Sequence, residues 1–298
     1  MKNSLLIVIL MIFGTANAQN SVNSVEFDGV DGYIDYGNSA IISTFPITVQ
    51  ADVKLPVGYP SLQKFGIFRS DDTNGPYAGF WCQIYPNEIE IGYGDGNCEN
   101  GSCRRSKHAP HSISEDTWVN IACVFNGPTD MTVYIDGVDV GGTYSGTGGT
   151  YSPTNGGNAY SALAITSSVT TYSIGKLDNL STWSIELSQS EISQYIVCPP
   201  VGTETGIEGF WNFEEAMGTI AEDLTTNNND GALIGGATWS TDVPTNNCNL
   251  TINELGYDTD KKLEKIVDMM GRETKLVKNT PLIYIYSDGS TKKIFITE

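Results

Sequence analysis

The sequence predicts an all-β protein, on three observations. Glycine is frequent, at 32 of 298 residues, aromatic residues make up 10%, and long runs with helical periodicity are absent. Short segments alternate apolar and polar residues, the pattern of a strand with one buried face. Between them lie Asp-Gly, Asn-Gly and Pro-Asn pairs, whose residues tolerate the backbone angles of tight turns. The organising stretch is Val25 to Gly37, where Val25 and Phe27 alternate with Glu26 and the run Tyr33-Ile34 leads to Tyr36. A carboxylate-rich turn holding Asp28 and Asp31 joins its two strands.

The chain opens Met1-Lys2-Asn3, is apolar from Leu5 to Phe13, and reaches Ala16-Asn17-Ala18. A basic start, a short apolar core and small residues two apart predict a secretory leader over residues 1–18, cut after Ala18. No other apolar run is long enough to span a bilayer, so no transmembrane segment is expected after cleavage, and the product is expected to be exported. Strands are then expected at Ile47–Val53, Phe65–Phe68, Phe80–Tyr85, Ile89–Tyr93, Trp118–Phe125 and Met131–Ile135. Asp136-Gly137 between β-branched runs is a strong hairpin signal. Residues 141–159, rich in Gly, Ser, Thr and Asn, read as a long loop, and 163–165 and 172–174 resume the sheet. Ser188, with Glu191 three residues on, predicts a capped helical turn.

The formal net charge is −19, and it is uneven: from Leu250 onward eight Lys or Arg balance eight Asp or Glu. An acidic main domain excludes nucleic acid as a partner and suits calcium binding or plain solubility. The six cysteines suggest disulfides in an exported chain, although six allow fifteen pairings. Cys98 and Cys103 flank a short loop that a local clasp would close. Cys198 and Cys248 bracket one segment, and Cys82 pairs with Cys123 by elimination. No Cys-x-x-Cys is present, which argues against a zinc ribbon.

Phe27-Asp-Gly-Val-Asp-Gly-Tyr-Ile34, Trp118-Val-Asn-Ile-Ala122, Tyr134-Ile-Asp-Gly137 and Ile174-Gly-Lys-Leu-Asp-Asn179, followed by Trp183 and Leu187-Ser188, resemble the laminin-G-like, concanavalin A-like jelly-roll domains in their order. Gly209-Phe-Trp-Asn-Phe-Glu-Glu215, Asp223, Asn227-Asn-Asn-Asp-Gly231 and Trp239-Ser-Thr-Asp-Val-Pro244 also resemble that family. The resemblance implies a jelly-roll β-sandwich over residues 19–248, whose fold hosts lectins, hydrolase relatives, adhesins and spacers. In the family an acidic pair follows the last Gly-x-Leu; here the second acid is Asn179. After a polar linker, 249–260, the tail 261–298 resembles the C-terminal sorting domain of the type IX secretion system. It carries Met269-Met-Gly-Arg-Glu273, a Tyr-rich run Pro281–Tyr286, Asp288-Gly289 and a basic last strand Lys292–Ile296. That resemblance implies a small C-terminal β-sandwich, the type IX machinery as a partner, and display at the outer cell surface.

Calcium needs six to eight hard oxygens drawn from carboxylates and turn carbonyls. Asp28 and Asp31 could meet Asp178 if the resembled fold brings their strands together, and Asp223 with Asp230 forms a second candidate loop. Arg104, Arg105, Lys107 and His108 are the one basic cluster in an acidic domain. On a loop held by Cys98–Cys103 they could engage an anionic glycan or a carboxylate of a surface protein. Tyr144 and Tyr151 of the Gly-rich segment could stack on sugars. Glycoside hydrolysis needs two facing carboxylates. Glu26-Phe-Asp28-Gly-Val-Asp31 fails that test because Gly29 interrupts the strand, and Glu214 and Glu215 are adjacent and so point to opposite faces. No Gly-x-Ser-x-Gly elbow exists. His-x-x-His at 108 and 111 lies in a cationic stretch that would repel a metal. The reading is a non-catalytic binding or adhesion module for glycan or a surface protein, with a concanavalin A-like glycoside hydrolase and a ligand-free surface spacer as alternatives.

Overall fold

The computed structural model describes residues 20–59, 64–70, 77–153, 157–166, 169–248, 263–268, 270–275, 281–287 and 291–295. The predicted leader, 1–18, and the predicted linker, 249–260, lie outside the described residues. Alternating runs become strands β1 (Ser24–Asp28), β2 (Tyr33–Gly37), β3 (Ile47–Lys54), β4 (Phe65–Arg69), β5 (Phe80–Ile84) and β6 (Glu88–Gly94). They are followed by β7 (Arg104–Pro110), β8 (Trp118–Gly127), β9 (Asp130–Ile135), β10 (Val138–Asp139) and β11 (Thr143–Gly146). Next come β12 (Ala159–Ser161), β13 (Leu163–Thr166), β14 (Val169–Tyr172) and β15 (Ile174–Trp183). Helix α1 (Gln189–Val197) precedes β16 (Ile207–Trp211), β17 (Ile220–Ala221), β18 (Gly231–Ile234) and β19 (Thr238–Ser240).

Strands β13 and β14 pair with each other in a separate two-stranded sheet instead of resuming the main one at 163–165, and the rest form a sandwich. One sheet runs β10-β9-β8-β3-β15-β1-β19, with β16 also on β15; the other runs β11-β7-β6-β5-β4-β12-β2-β18-β17. Alternation sends Val49, Ala51 and Val53 of β3, Phe80, Cys82 and Ile84 of β5, and Ile89, Ile91 and Tyr93 of β6 into one shared core. Edge-on ring pairs such as Phe27–Phe65 at 6.1 Å and Phe80–Phe125 at 5.6 Å cross between the sheets. Both ends of the domain close the first sheet, because β1 pairs with β15 and with β19. Asp136 (φ 48°) and Gly137 (φ 76°) make the left-handed turn between β9 and β10, as an Asp-Gly pair should.

Ser188 caps α1 in a complete capping box: its Oγ accepts the Glu191 N–H, and the Glu191 carboxylate accepts the Ser188 N–H at 2.8 Å. The helix buries Ile192 against Trp183 and Leu187, and Trp183 stacks on Tyr195 at 5.1 Å. Two expectations need correcting. Residues 104–108 form strand β7 rather than a loop, and β11 occupies part of the predicted 141–159 loop. Both carry polar residues because one of their faces lies outside the core.

Residues from 249 on make a separate unit. Its described residues form one antiparallel sheet, β20 (Leu263–Asp268), β21 (Pro281–Tyr286) and β22 (Thr291–Phe295). Asp268 turns the chain at Met-Gly-Arg-Glu, accepting the Met270 and Arg272 N–H groups and the Arg272 guanidinium at 2.8 Å.

Candidate functional site

The face of β5, β6 and β7 opposite the core carries a connected polar array. With Phe80, Cys82 and Ile84 turned inward, Trp81 and Gln83 project outward. With Ile89 and Ile91 inward, Glu88 and Glu90 do the same. Glu90 is the hub: it accepts the Tyr85 hydroxyl at 2.7 Å, the Gln83 amide at 3.1 Å and the Trp81 indole at 3.3 Å. Lys64 lies 4.2 Å above the Tyr85 ring. Burial pushes the Glu90 carboxyl up, but the Tyr85 hydroxyl, His108, the Ser106 hydroxyl and Lys64 together hold it below its ordinary range. Gly92 makes room for this array, since a Cβ there would come within 2.6 Å of the Trp81 ring.

The rim is built by β7 and edge strand β11. Alternation splits the basic cluster. Arg104 and His108 face outward, whereas Arg105 and Lys107 face the core side, opposite Tyr93 and Ile91. His108 lies between Glu88, 2.9 Å from Nδ1, and Ser145, 2.8 Å from Nε2. Arg104 Nη1 donates to Ser106 Oγ at 2.8 Å and reaches Ser145 Oγ at 3.4 Å. Lys107 is buried and donates to the Met131 carbonyl at 2.6 Å, and Arg105 donates to the Gly146 carbonyl at 2.8 Å. The expected four-residue basic loop is therefore a strand offering two outward groups. Tyr144, on β11, stays half-exposed, with the Arg105 guanidinium 4.9 Å from its ring and its hydroxyl accepting the Met131 N–H. Tyr151 is no sugar platform: it stacks on Phe45 at 4.8 Å and donates to the Ile42 carbonyl, as part of the core.

The acidic candidates do not gather around one ion. Asp28 faces Ile174 on β15, four residues from Asp178, which is about 13 Å of strand. Its Oδ1 instead accepts the Val30, Asp31 and Gly32 N–H groups, and these hold its carboxyl low, the Val30 bond most of all. Asp31 accepts the Gly236 N–H. Asp223 is taken up by four donors, the Phe210, Thr225 and Asn229 N–H groups and the Thr225 hydroxyl, while Asp230 accepts the Asp223 N–H. These are turn-building roles. Among the described residues no group of three or more His, Cys, Asp or Glu is placed to hold a metal ion.

Asp178 has another neighbour, one the sequence did not reveal. A bulge at Asn179 (φ 48°) on β15 sets Asp178 beside Asp52 of β3. Asp52 accepts the Asn120 amide at 2.8 Å and the Asn179 amide at 2.9 Å, whereas Asp178 Oδ2 is buried without a partner. Burial raises both carboxyls, Asp52 to about 6, and the charges of Asp136 on Asp52 and of Asp52 and Glu214 on Asp178 add to the rise.

Cys98–Cys103 and Cys198–Cys248 are bonded in the structure. Cys82 and Cys123 are not: both are free and buried in the core. They lie on opposite sheets, and burial and the neighbouring Cys123 thiol raise the Cys82 pKa. Glu88, Glu90, Ser145 and Asp52 were also missed from sequence. The first two were signalled by Glu88-Ile-Glu90-Ile, which puts two acids on one face of a strand.

Two antiparallel sheets packed face to face around one core make a concanavalin A-like β-sandwich. The chain belongs to the concanavalin A-like lectin/glucanases superfamily, whose laminin G profile matches residues 28–193. No curated protein matches the sequence. A candidate carbohydrate-binding protein of Bacteroides ovatus is similar in fold, with 13% identity over 78% of this chain and a TM-score of 0.53. The match spans 63% of that protein's length. A heptameric SAP-like pentraxin of Limulus polyphemus aligns at 15% identity over 61% of this chain and 83% of its own, with a TM-score of 0.42. Trypanosoma rangeli sialidase aligns at 16% identity over 60% of this chain and 28% of its own, also at 0.42. Of these only the first shares the overall fold closely enough to count, and it speaks to fold alone.

Proposed function

We propose that this chain is a surface-displayed glycan-binding module that engages sugar across the outer face of β5, β6 and β7. One observation carries the reading: the part-exposed rings of Tyr77 and Tyr85 lie beside Glu88, Arg104 and His108, over a buried hydrogen-bonded layer of Trp81, Gln83 and Glu90. Aromatic faces stack on the apolar faces of pyranose rings while fixed polar groups select hydroxyls, and a pre-ordered network lowers the entropy of binding. Binding is favoured over glycosidic cleavage because a general acid needs a raised pKa, and Glu90, the buried acid of this face, is held low. Export through the leader over 1–18 and type IX display through the tail remain part of this proposal, supported by their sequence motifs.

The test is a glycan array probed with the full-length chain, with calcium and with chelator, alongside Tyr85→Ala and Arg104→Ala. The expected result is binding to a defined set of glycans that both substitutions reduce at least tenfold without moving the melting temperature by more than a few degrees. Binding undiminished in both variants would place the ligand elsewhere. No binding under either condition would favour a structural spacer.

A further inference from the structure

The rim of this face holds an arrangement that sugar binding alone does not require. The His108 Nδ1 lies 2.9 Å from Glu88 Oε1 on one neighbouring strand, and its Nε2 lies 2.8 Å from Ser145 Oγ on the other. A carboxylate can only accept, so in the neutral ring the hydrogen is on Nδ1. Nε2 then offers a lone pair, and the Ser145 hydroxyl donates to it. This polarity activates a serine: a base touches the hydroxyl, and an acid fixes the base's tautomer and orientation. Arg104 adds an electrophilic group, its Nη1 3.4 Å from Ser145 Oγ and 2.8 Å from Ser106 Oγ, with its guanidinium 5.8 Å from the Tyr77 ring centre. The site is open, since the His108 and Glu88 side chains are 26% and 39% exposed.

We propose that Ser145, His108 and Glu88 hydrolyse an O-acyl ester, with Arg104 stabilising the oxyanion. Arg104, Ser106 and His108 around the hydroxyl are polar, which suits a short acyl group such as the acetyl of an esterified sugar. Ser145 Oγ attacks the acyl carbon while its proton passes to His108 Nε2, and the carbonyl oxygen becomes an anion beside Arg104. Collapse breaks the bond to the alkoxy oxygen, which leaves with the proton from His108, and the acyl group remains on Ser145. Water then attacks the acyl carbon as His108 takes its proton. The acid is released and Ser145 recovers its hydrogen. Ser145 and His108 are the catalytic residues, and Glu88 is a positioning residue.

The full-length chain is treated with a fluorophosphonate and mapped by mass spectrometry, and its hydrolysis of 4-nitrophenyl acetate is followed against pH. The phosphonate should mark Ser145 and spare Ser102 and Ser106, and His108→Ala should prevent it. Ser145→Ala should lower hydrolysis by about 10²-fold or more. The ring is faced by Glu88 and Glu90 from β6, by Arg104 from its own strand and by the neutral Ser145 from β11. Glu88→Gln removes one negative charge, so the rising limb of the pH–rate curve should move to lower pH as the rate falls. Wild-type protein that takes no label at Ser145, or a Ser145→Ala variant as fast as wild type, would overturn the proposal. The labelling reads the unmutated chain, so a misfolded variant cannot imitate that failure. Because both reagents are small, the result is independent of glycan binding, and either property can be lost while the other stands.

Discussion

Replacing Asp178 by Asn should stabilise the main domain above pH 6, although it alters a fully buried polar group. Asp178 and Asp52 are register partners on adjacent strands, and Asp178 Oδ2 has no hydrogen-bond partner. Both folded-state pKa values lie above the unfolded ones, so the folded chain binds more protons in the intervening range. The stability this pair allows is complete below about pH 3.8 and is lost as pH rises through about 6, the value for Asp52. A rise from 3.8 to about 6 costs the folded state about 3 kcal/mol at neutral pH from Asp52 alone. The amide cannot ionise, so it escapes the cost that burial and the Asp52 charge place on the Asp178 carboxylate, recovering about 1–2 kcal/mol, the scale of one unsatisfied buried polar group. For a domain of this size that is about 2–8 °C in melting temperature at pH 8, with little change at pH 4.5. Circular dichroism melts of both proteins at the two pH values, with and without EDTA, supply the assay. An Asp178→Asn protein that melts below wild type at pH 8 would refute the reasoning. Loss of wild-type stability on adding EDTA would show instead that the two carboxylates share a cation.

Three further outcomes are expected. Changing Cys198 and Cys248 together to Ser releases a link across 50 residues and should cost about 2–4 kcal/mol in urea unfolding. Gly92→Ala should push Trp81 off Glu90, red-shifting tryptophan fluorescence and costing about 1–3 kcal/mol as overpacking. An unchanged emission maximum would mean that the ring tolerates the methyl group. Ser188→Ala should cost about 1 kcal/mol by uncapping α1, measured as a lower urea midpoint at unchanged slope.

Much of the fold was legible because local patterns specified it. The alternation at Val49-Gln-Ala-Asp-Val53, the Asp136-Gly137 turn and the Ser188–Glu191 box each act within a few residues and were read where they occur. The site was less legible. Arg104-Arg-Ser-Lys-His108 looks like a polar loop because its strand lies near a sheet edge, where half the side chains face solvent and Lys107 is buried only through the distant Met131 carbonyl. Tyr151 looks like a loop aromatic because Phe45 and Ile42, its partners, are more than a hundred residues away.

The sequence by itself determined most of the strands, the turns, the capped helix and, through its motifs, the superfamily, since alternation and turn chemistry are written in neighbouring residues. Only the tertiary structure decided that Glu88, His108 and Ser145 meet, that Asp178 stands beside Asp52 rather than Asp28, and that Cys82 and Cys123 remain thiols. Those outcomes depend on strand order and register. A shift of one residue along a strand turns each side chain to the other face, and nothing local to Ser145 or Asp178 sets that register.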